Sequence, residues 1–211
     1  MNDKTYVWDL LVRIFHWTLV LAFIIAYLTG DEENALHVYS GYYILGLVLI
    51  RILWGLVGTR YARFRSFTFS PRSVQAYLKN LFSTGSGKKY TGHNPAGSWM
   101  VIIMLTSLLA TGFSGLKVYG LEGYGPLAQT VKIDNLKTDQ HNTGLINVSD
   151  SKKEHNKEKD KNGGDEFWEE IHEFLANFTV LLVLLHISGV ILSSKKHGQN
   201  LIRAMITGYK Q

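Results

Sequence analysis

From Phe167 to Leu192 the sequence reads FWEEIHEFLANFTVLLVLLHISGVIL, and this stretch indicates a membrane-spanning helix. Its length and mostly apolar character match the ~20 residues that cross a bilayer core of ~30 Å as a helix. Three other stretches share these properties: about Leu10 to Gly30, Leu36 to Gly58 and Pro95 to Leu116. We therefore predict an all-α, integral membrane four-helix bundle, although the mean hydropathy of +0.01 resembles that of a soluble protein.

The distribution of charge predicts how these helices are oriented. The segment from Thr59 to Gly92 and the tail after Leu192 contain no acidic residue. Their basic residues are Arg60, Arg63, Arg65, Arg72, Lys79, Lys88, Lys89, Lys195, Lys196, Arg203 and Lys210. Since cytoplasmic loops carry an excess of Lys and Arg, we expect both termini and the middle loop to be cytoplasmic. Membrane topology thus explains the net charge of +5, and we expect no nucleic acid as a partner.

Two polar segments lie between the predicted spans. Residues 71–82 form a short amphipathic pattern, which fits either a helix on the membrane surface or a solvated connector. The apolar side of that pattern consists of Val74, Tyr77, Leu78 and Leu81. Residues 129–166 are polar and low in apolar side chains, so they cannot bury enough surface to offset their chain entropy. We predict that they form a disordered outer loop.

Histidines are the candidate metal ligands of this chain. Cysteine is absent, which excludes disulfides, thiolate-held iron–sulfur clusters and covalently attached c-type haem. Of the eight histidines, four lie in or at the edge of apolar stretches, where ionisable groups are rare and usually functional. These are His16, His37, His172 and His186. The alternative is that each is a hydrogen-bonded structural histidine.

Helix geometry sorts the four histidines into two pairs. His172 and His186 are 14 residues apart, which places them within about 40° on one helix face and ~21 Å apart along its axis. With alternating helix directions, His16 lies level with His186 on the inner side, and His37 lies level with His172 on the outer side. Each pair offers two imidazoles from different helices, as an electron-transfer haem requires. We therefore predict two haems, an inner one at His16/His186 and an outer one at His37/His172.

Three further residues are predicted to contact the haems. Gly41 lies one turn after His37 and would allow a porphyrin to approach the backbone, although helix packing also favours glycine. Arg51 shares the face of His37 at the depth of the inner pair, where a haem propionate would balance its charge. Arg13, one turn before His16, is a second propionate candidate. For both arginines the alternative is an interaction with lipid phosphates.

Six stretches of the sequence resemble the bacterial di-haem cytochrome b561 family, which includes the membrane cytochrome subunits of nickel–iron hydrogenases. They are VWDLLVRIFHW (7–17), LHVYSGYYILGLVLIRILWGLVGTRYARF (36–64), GHNPAGSWMV (92–101), EEIHEFLANF (169–178), LLHISGVILSS (184–194) and NLIRAMITGYK (200–210). The resemblance covers nearly all of the chain except about residues 129–164. It implies that helices one and two give one haem ligand each and helix four gives two, which map onto His16, His37, His172 and His186.

The resemblance implies transmembrane electron transfer through two b-type haems in the bacterial inner membrane. Family members pass electrons between the quinone pool and an outer-face c-type cytochrome or dehydrogenase, so quinone, such a protein and membrane lipid are the expected partners. The chain has no catalytic constellation beyond the haem ligands. Two alternatives are a non-redox anchor or assembly subunit and a small metal transporter, and both predict a colourless protein.

Overall fold

The structure, a computed structural model, describes residues 5–30, 34–66, 68–83, 90–128 and 148–210. Its α-helices are α1 (Leu10–Leu28), α2 (Ala35–Val57), α3 (Pro71–Phe82), α4 (Pro95–Leu121), α5 (Val148–His197) and α6 (Leu201–Thr207). A short 3₁₀ helix covers Phe64–Ser66, and two short strands are β1 (Thr5–Tyr6) and β2 (Tyr209–Lys210).

Four of these helices are long and apolar enough to cross a membrane. The candidate spans are Leu10–Leu28, Ala35–Val57, Pro95–Leu121 and Gly164–His197. In the most apolar 18-residue segment of each span, at most 22% is buried. Side chains such as Leu21, Leu53 and Leu184 are more than half exposed. Exposed apolar faces of this kind suit lipid rather than water. The predicted all-α fold with four membrane helices is confirmed.

Local sequence explains where the helices begin. Asp9 caps α1 by accepting a hydrogen bond from the Val12 amide at 2.9 Å. At α4, Asn94 Oδ1 accepts from the Gly97 amide at 2.6 Å, and Pro95 occupies the first helical position. Helix α4 therefore begins at Pro95, the residue at which the third apolar stretch of the sequence begins.

The chain forms two compact units, Met1–Gly112 with Ala176–Gln211, and Phe113–Leu175. In the first unit, the main apolar core joins α1, α2 and α4, and its buried residues are Phe15, Ala22, Ile44, Val48, Leu105 and Leu108. Within this unit, Thr179 of α5 and Ser107 of α4 form a hydrogen bond of 2.7 Å, and both side chains are buried. In the second unit, the rings of Phe113 and Trp168 pack edge to face with centroids 6.1 Å apart.

The two ends of the chain are joined within the first unit. β1 and β2 pair antiparallel, with Thr5 opposite Lys210 and Tyr6 opposite Tyr209. A second apolar cluster lies beneath them and contains Val7, Trp8, Val12, Ala62 and Ala204. Helix α6 therefore packs against the N-terminal segment and the loop after α2, which the apolar pattern of the sequence did not predict.

Outside the spans, the amphipathic segment 71–82 is helix α3. Its buried side chain is Tyr77, whereas Leu78 is 41% exposed. Helix α5 begins at Val148, before the span predicted from Phe167, in a segment rich in the good helix formers Lys and Glu. Residues 129–147 lie outside the described residues, and the disorder of the outer loop stays a prediction.

Candidate functional site

His16 of α1 and His186 of α5 face each other inside the first unit. Their ring centroids are 6.5 Å apart and the ring planes are inclined by 53°. Both side chains are half-buried. His16 Nδ1 is buried and has no hydrogen-bond partner among the described residues. A buried polar atom normally has a partner, so Nδ1 of His16 is a nitrogen for which the described residues provide none.

His37 lies in the first turn of α2, which Asn34 caps through a 3.0 Å bond from the Leu36 amide. Its Nδ1 lies 2.8 Å from the carbonyl oxygen of Ala26 on α1. A carbonyl only accepts, so Nδ1 carries a proton and donates it to Ala26. A hydrogen bond of this kind orients metal-ligating histidines.

His172 has a comparable arrangement in the second unit. Its Nδ1 lies 3.0 Å from the hydroxyl of Ser114, a buried residue of α4. The ring also lies against Gly115, where an added Cβ would approach His172 Cε1 to 2.9 Å. Gly115 is therefore required for the ring to pack in this position. His37 belongs to the first unit and His172 to the second.

Among the described residues of the first unit, Arg51 of α2 is the most buried charged residue, with 3% of its surface exposed. Its Nη2 donates to the carbonyl of Ala62 at 3.2 Å, and its guanidinium lies 5.3 Å from the ring centroid of Phe64. Nη1 is buried and has no hydrogen-bond partner in the part of the chain that the structure describes. Nη1 of Arg51 is thus a buried donor that needs an acceptor.

Arg13 and Gly41 were the other two predicted contacts. Arg13 Nη1 donates to the carbonyl of Ile206 at 2.7 Å, near the C-terminal end of α6, where a cation is favourable. Its Nε is buried without a hydrogen-bond partner among the described residues. At Gly41, an added Cβ would meet no atom within 4 Å, so the space beside this glycine is open.

Asp9, at the start of α1, accepts hydrogen bonds from polar side chains near the end of α2. Its Oδ2 accepts from Trp54 Nε1 at 3.1 Å and from the Thr59 hydroxyl at 2.5 Å. Burial favours a higher pKa, but the hydrogen bonds from Thr59, the Val12 amide and Trp54 outweigh it, so the pKa of Asp9 lies below its ordinary value. Asp9 therefore remains an anion that partly balances the charge of Arg51.

His93 is not one of the four histidines predicted as ligands, and it is half-buried just before α4. Its Nδ1 is buried, and its ring packs edge to face on Trp8 with centroids 4.6 Å apart. The strand pairing of the chain ends places Lys210 nearby, where Nζ donates to the carbonyls of Tyr90 at 2.5 Å and Gly92 at 3.2 Å. Burial lowers the pKa of Lys210 to about 8. Burial, with the charges of Arg51 and Lys210, lowers the pKa of His93 to about 3.

Comparison with known proteins identifies the family of this chain. The family model for prokaryotic cytochrome b561 matches residues 7–208. The chain belongs to the prokaryotic cytochrome b561 family. The match includes every helix of the structure and all four membrane histidines, so the resemblance seen in the sequence is confirmed. The family is one of membrane cytochromes whose b-type name implies haem b.

Two relatives are similar to this chain. Both are called "Probable Ni/Fe-hydrogenase B-type cytochrome subunit", one from Rhizobium leguminosarum bv. viciae and one from Azotobacter vinelandii. The first is 28% identical over 151 residues, covering 59% of this chain and 63% of the relative. The second is 26% identical over 153 residues, covering 59% and 62%. The chain thus spans about three fifths of each relative. No solved structure gives a significant match.

The residues present fit a haem at the inner position. Two metal–nitrogen bonds of about 2 Å each account for about 4 Å, and the remainder of the 6.5 Å between the rings of His16 and His186 is about two ring radii. The buried Nη1 of Arg51 provides a donor for a carboxylate. Imidazole pairs without any cysteine are the donor set expected of a non-covalent, b-type haem.

Several residues that shape the site were not predicted from the sequence. Ser114 and Gly115 position His172, and the buried hydroxyls of Ser107 and Thr179 join α4 to α5. Small and hydroxyl-bearing residues inside an apolar helix could have indicated these contacts, because membrane helices pack through such residues. Their partners depend on how the helices pair, which the spacing of one helix does not determine.

Proposed function

We propose that this member of the cytochrome b561 family carries electrons across the membrane on two b-type haems. His16 and His186 would hold the inner haem, and His37 and His172 the outer one. Haem b, when bound, supplies a reversible one-electron couple. The protein contributes ligands, orientation and charge.

The observation that carries this proposal is the inner pair. Two imidazoles from different helices face each other with ring centroids 6.5 Å apart. This distance would allow both rings to coordinate one metal ion. A purely structural pair of neutral histidines would be expected to bond to each other or to a neighbouring group. His16 Nδ1 instead remains buried and without a partner among the described residues.

Two arguments support the outer pair. Alternating helix directions predict that His37 and His172 lie at the same depth, and the surroundings of each ring suit a metal ligand. Ala26 O fixes the tautomer of His37, and the Ser114 hydroxyl lies in hydrogen-bonding distance of the equivalent nitrogen of His172. With Nδ1 occupied in this way, Nε2 is the nitrogen that would ligate. The open space beside Gly41 supports the close approach of a flat ring to α2.

Arg51 would bind a propionate of the inner haem through Nη1, since its other contacts use Nη2 and the face of the guanidinium. Its positive charge would then favour the reduced state of that haem. Arg13 is the weaker candidate of the two, because its Nη1 already serves the carbonyl of Ile206.

The partners follow from the relatives and are part of the proposal. Both relatives are named as hydrogenase cytochrome subunits. By analogy, this chain would lie in the bacterial inner membrane and pass electrons between quinone and a redox protein on the outer face, such as a dehydrogenase or a c-type cytochrome.

A visible spectrum of the purified protein tests this function. Two histidine-ligated haems should give a Soret band and α bands that sharpen on reduction with dithionite. A transporter or a non-redox anchor would be colourless. A preparation that is folded by circular dichroism, expressed with haem supplied, and still colourless would refute the proposal.

A further inference from the structure

A cavity of about 190 Å³ lies between α3 and the C-terminal end of α5. Helix α3 contributes Ser73, Ala76, Tyr77 and Asn80 to its wall, and α5 contributes Lys196 and His197. The Tyr77 hydroxyl holds the two helices together, lying 3.2 Å from Ser193 Oγ and 3.4 Å from His197 Nε2. The cavity is therefore a feature of two packed helices rather than a gap beside a loose segment.

The wall of this cavity suits an anion. Lys196 Nζ donates to the carbonyl of Ser83, and as an ammonium it keeps further protons for another acceptor. Among the described residues, no acidic side chain lines the cavity. Lys195, Arg72 and Lys79 lie on the same two helices and are exposed. The local field is thus positive, with hydroxyl and amide groups as additional hydrogen-bonding partners.

The depth of the cavity corresponds to the surface of a membrane. It lies where the apolar span of α5 gives way to Lys195, Lys196 and His197. On the adjoining start of α4, Trp99 is 38% exposed and donates from Nε1 to the carbonyl of Phe69 at 3.0 Å. Tryptophan is enriched at this level of membrane proteins. Leu78 of α3 is also 41% exposed, on a helix that has basic side chains and no acid.

We propose that this cavity binds the phosphate of an anionic phospholipid headgroup, with Lys196 as the charged contact and α3 lying along the membrane surface. A basic pocket between helices at a membrane face is the setting in which such headgroups are recognised. The proposal is independent of the haems, since none of the four membrane histidines lines the cavity.

Native mass spectrometry of the full chain in detergent tests this site, using phosphatidylglycerol and phosphatidylcholine at equal concentration. The wild-type protein should retain phosphatidylglycerol preferentially. Lys196→Gln should weaken its binding about fivefold. Lys195→Gln removes the same charge from the neighbouring residue, which does not line the cavity, and should weaken binding less than about twofold.

A second pair of variants separates the cavity from general surface charge. Ala76→Phe fills the cavity without changing charge and should reduce phosphatidylglycerol binding as much as Lys196→Gln, whereas Gln75→Phe on the same helix should not. Circular dichroism verifies that each variant is folded. Equal retention of the two lipids, equal loss from Lys195→Gln and Lys196→Gln, or displacement of the lipid by millimolar inorganic phosphate would each overturn the assignment to a lipid headgroup.

Discussion

At the scale of single residues, the second nitrogen of each histidine determines how that side chain can act. Ala26 O and Ser114 Oγ lie at Nδ1 of His37 and His172. A hydrogen bond at this nitrogen fixes the ring and makes the other nitrogen a more basic ligand. The hydroxyl of Ser114 would thus affect a bound haem through His172.

Replacing Ser114 with Ala should raise the potential of one haem, because a less basic imidazole stabilises the oxidised iron less. Loss of the hydrogen bond should also weaken retention of that haem by about tenfold. A redox titration followed in the α bands would resolve the two haems. Thr106→Val, which removes an exposed hydroxyl from the same helix, is the matched control. Unchanged potentials in Ser114→Ala would contradict the role given to this contact.

Arg51→Leu should lower the potential of the inner haem and leave the outer one nearly unchanged, since a nearby positive charge favours the reduced state. The same titration measures it, with the exposed Arg63→Leu as control. Because Arg51 also bonds to Ala62, the variant should be less stable, but a general loss of stability would not shift one potential selectively. Equal potentials in variant and wild type would assign Arg51 to the Ala62 and Phe64 contacts alone.

At the scale of elements, the C-terminal segment α6–β2 closes the end of the first unit. Gly208 joins these two elements with φ +86°, and its carbonyl accepts from the amides of Val7 at 2.9 Å and Trp8 at 3.1 Å. An added Cβ would approach Tyr6 Cε2 to 2.7 Å. The junction therefore requires glycine for its backbone conformation and for space.

Gly208→Ala should destabilise the protein by on the order of 2 kcal/mol, combining left-handed strain with the clash. Gly198→Ala is the matched control, because Gly198 also has positive φ, +61°, yet its Cβ would meet no atom within 4 Å. This control should lose about 1 kcal/mol. Thermal unfolding in detergent compares the two. Equal losses would show that the contact of Gly208 with Tyr6 does not matter.

Lys210 makes the same segment sensitive to pH. Burial lowers its pKa in the folded protein to about 8, from 10.5 as the ordinary value. Between these values the unfolded chain binds more protons than the folded one, so stability should rise as pH increases from about 8 to 10.5. In Lys210→Met this dependence should be reduced, and Lys195→Met, at an exposed lysine, should retain it. The Tm measured across this range decides the point, and identical slopes in wild type and Lys210→Met would contradict it.

At the scale of the whole molecule, the sequence was sufficient for the features that depend on one helix at a time. Apolar length predicted the four spans, and residue spacing selected His16 and His186, whose rings the structure brings together. Contacts between elements distant in sequence were not predictable in this way. His93 packs on Trp8 and lies near Lys210, which come from the two ends of the chain. No periodicity within one segment indicates that pairing.

The haem content of histidine variants distinguishes the proposed pairing of ligands at two depths from any other pairing. Wild-type protein should hold two haems per chain by pyridine haemochrome assay. His16→Ala and His186→Ala should lose the same haem, recognised by its α band and potential, whereas His37→Ala and His172→Ala should both lose the other. If His37→Ala or His172→Ala instead removes the haem that His16→Ala removes, the proposed pairing is wrong.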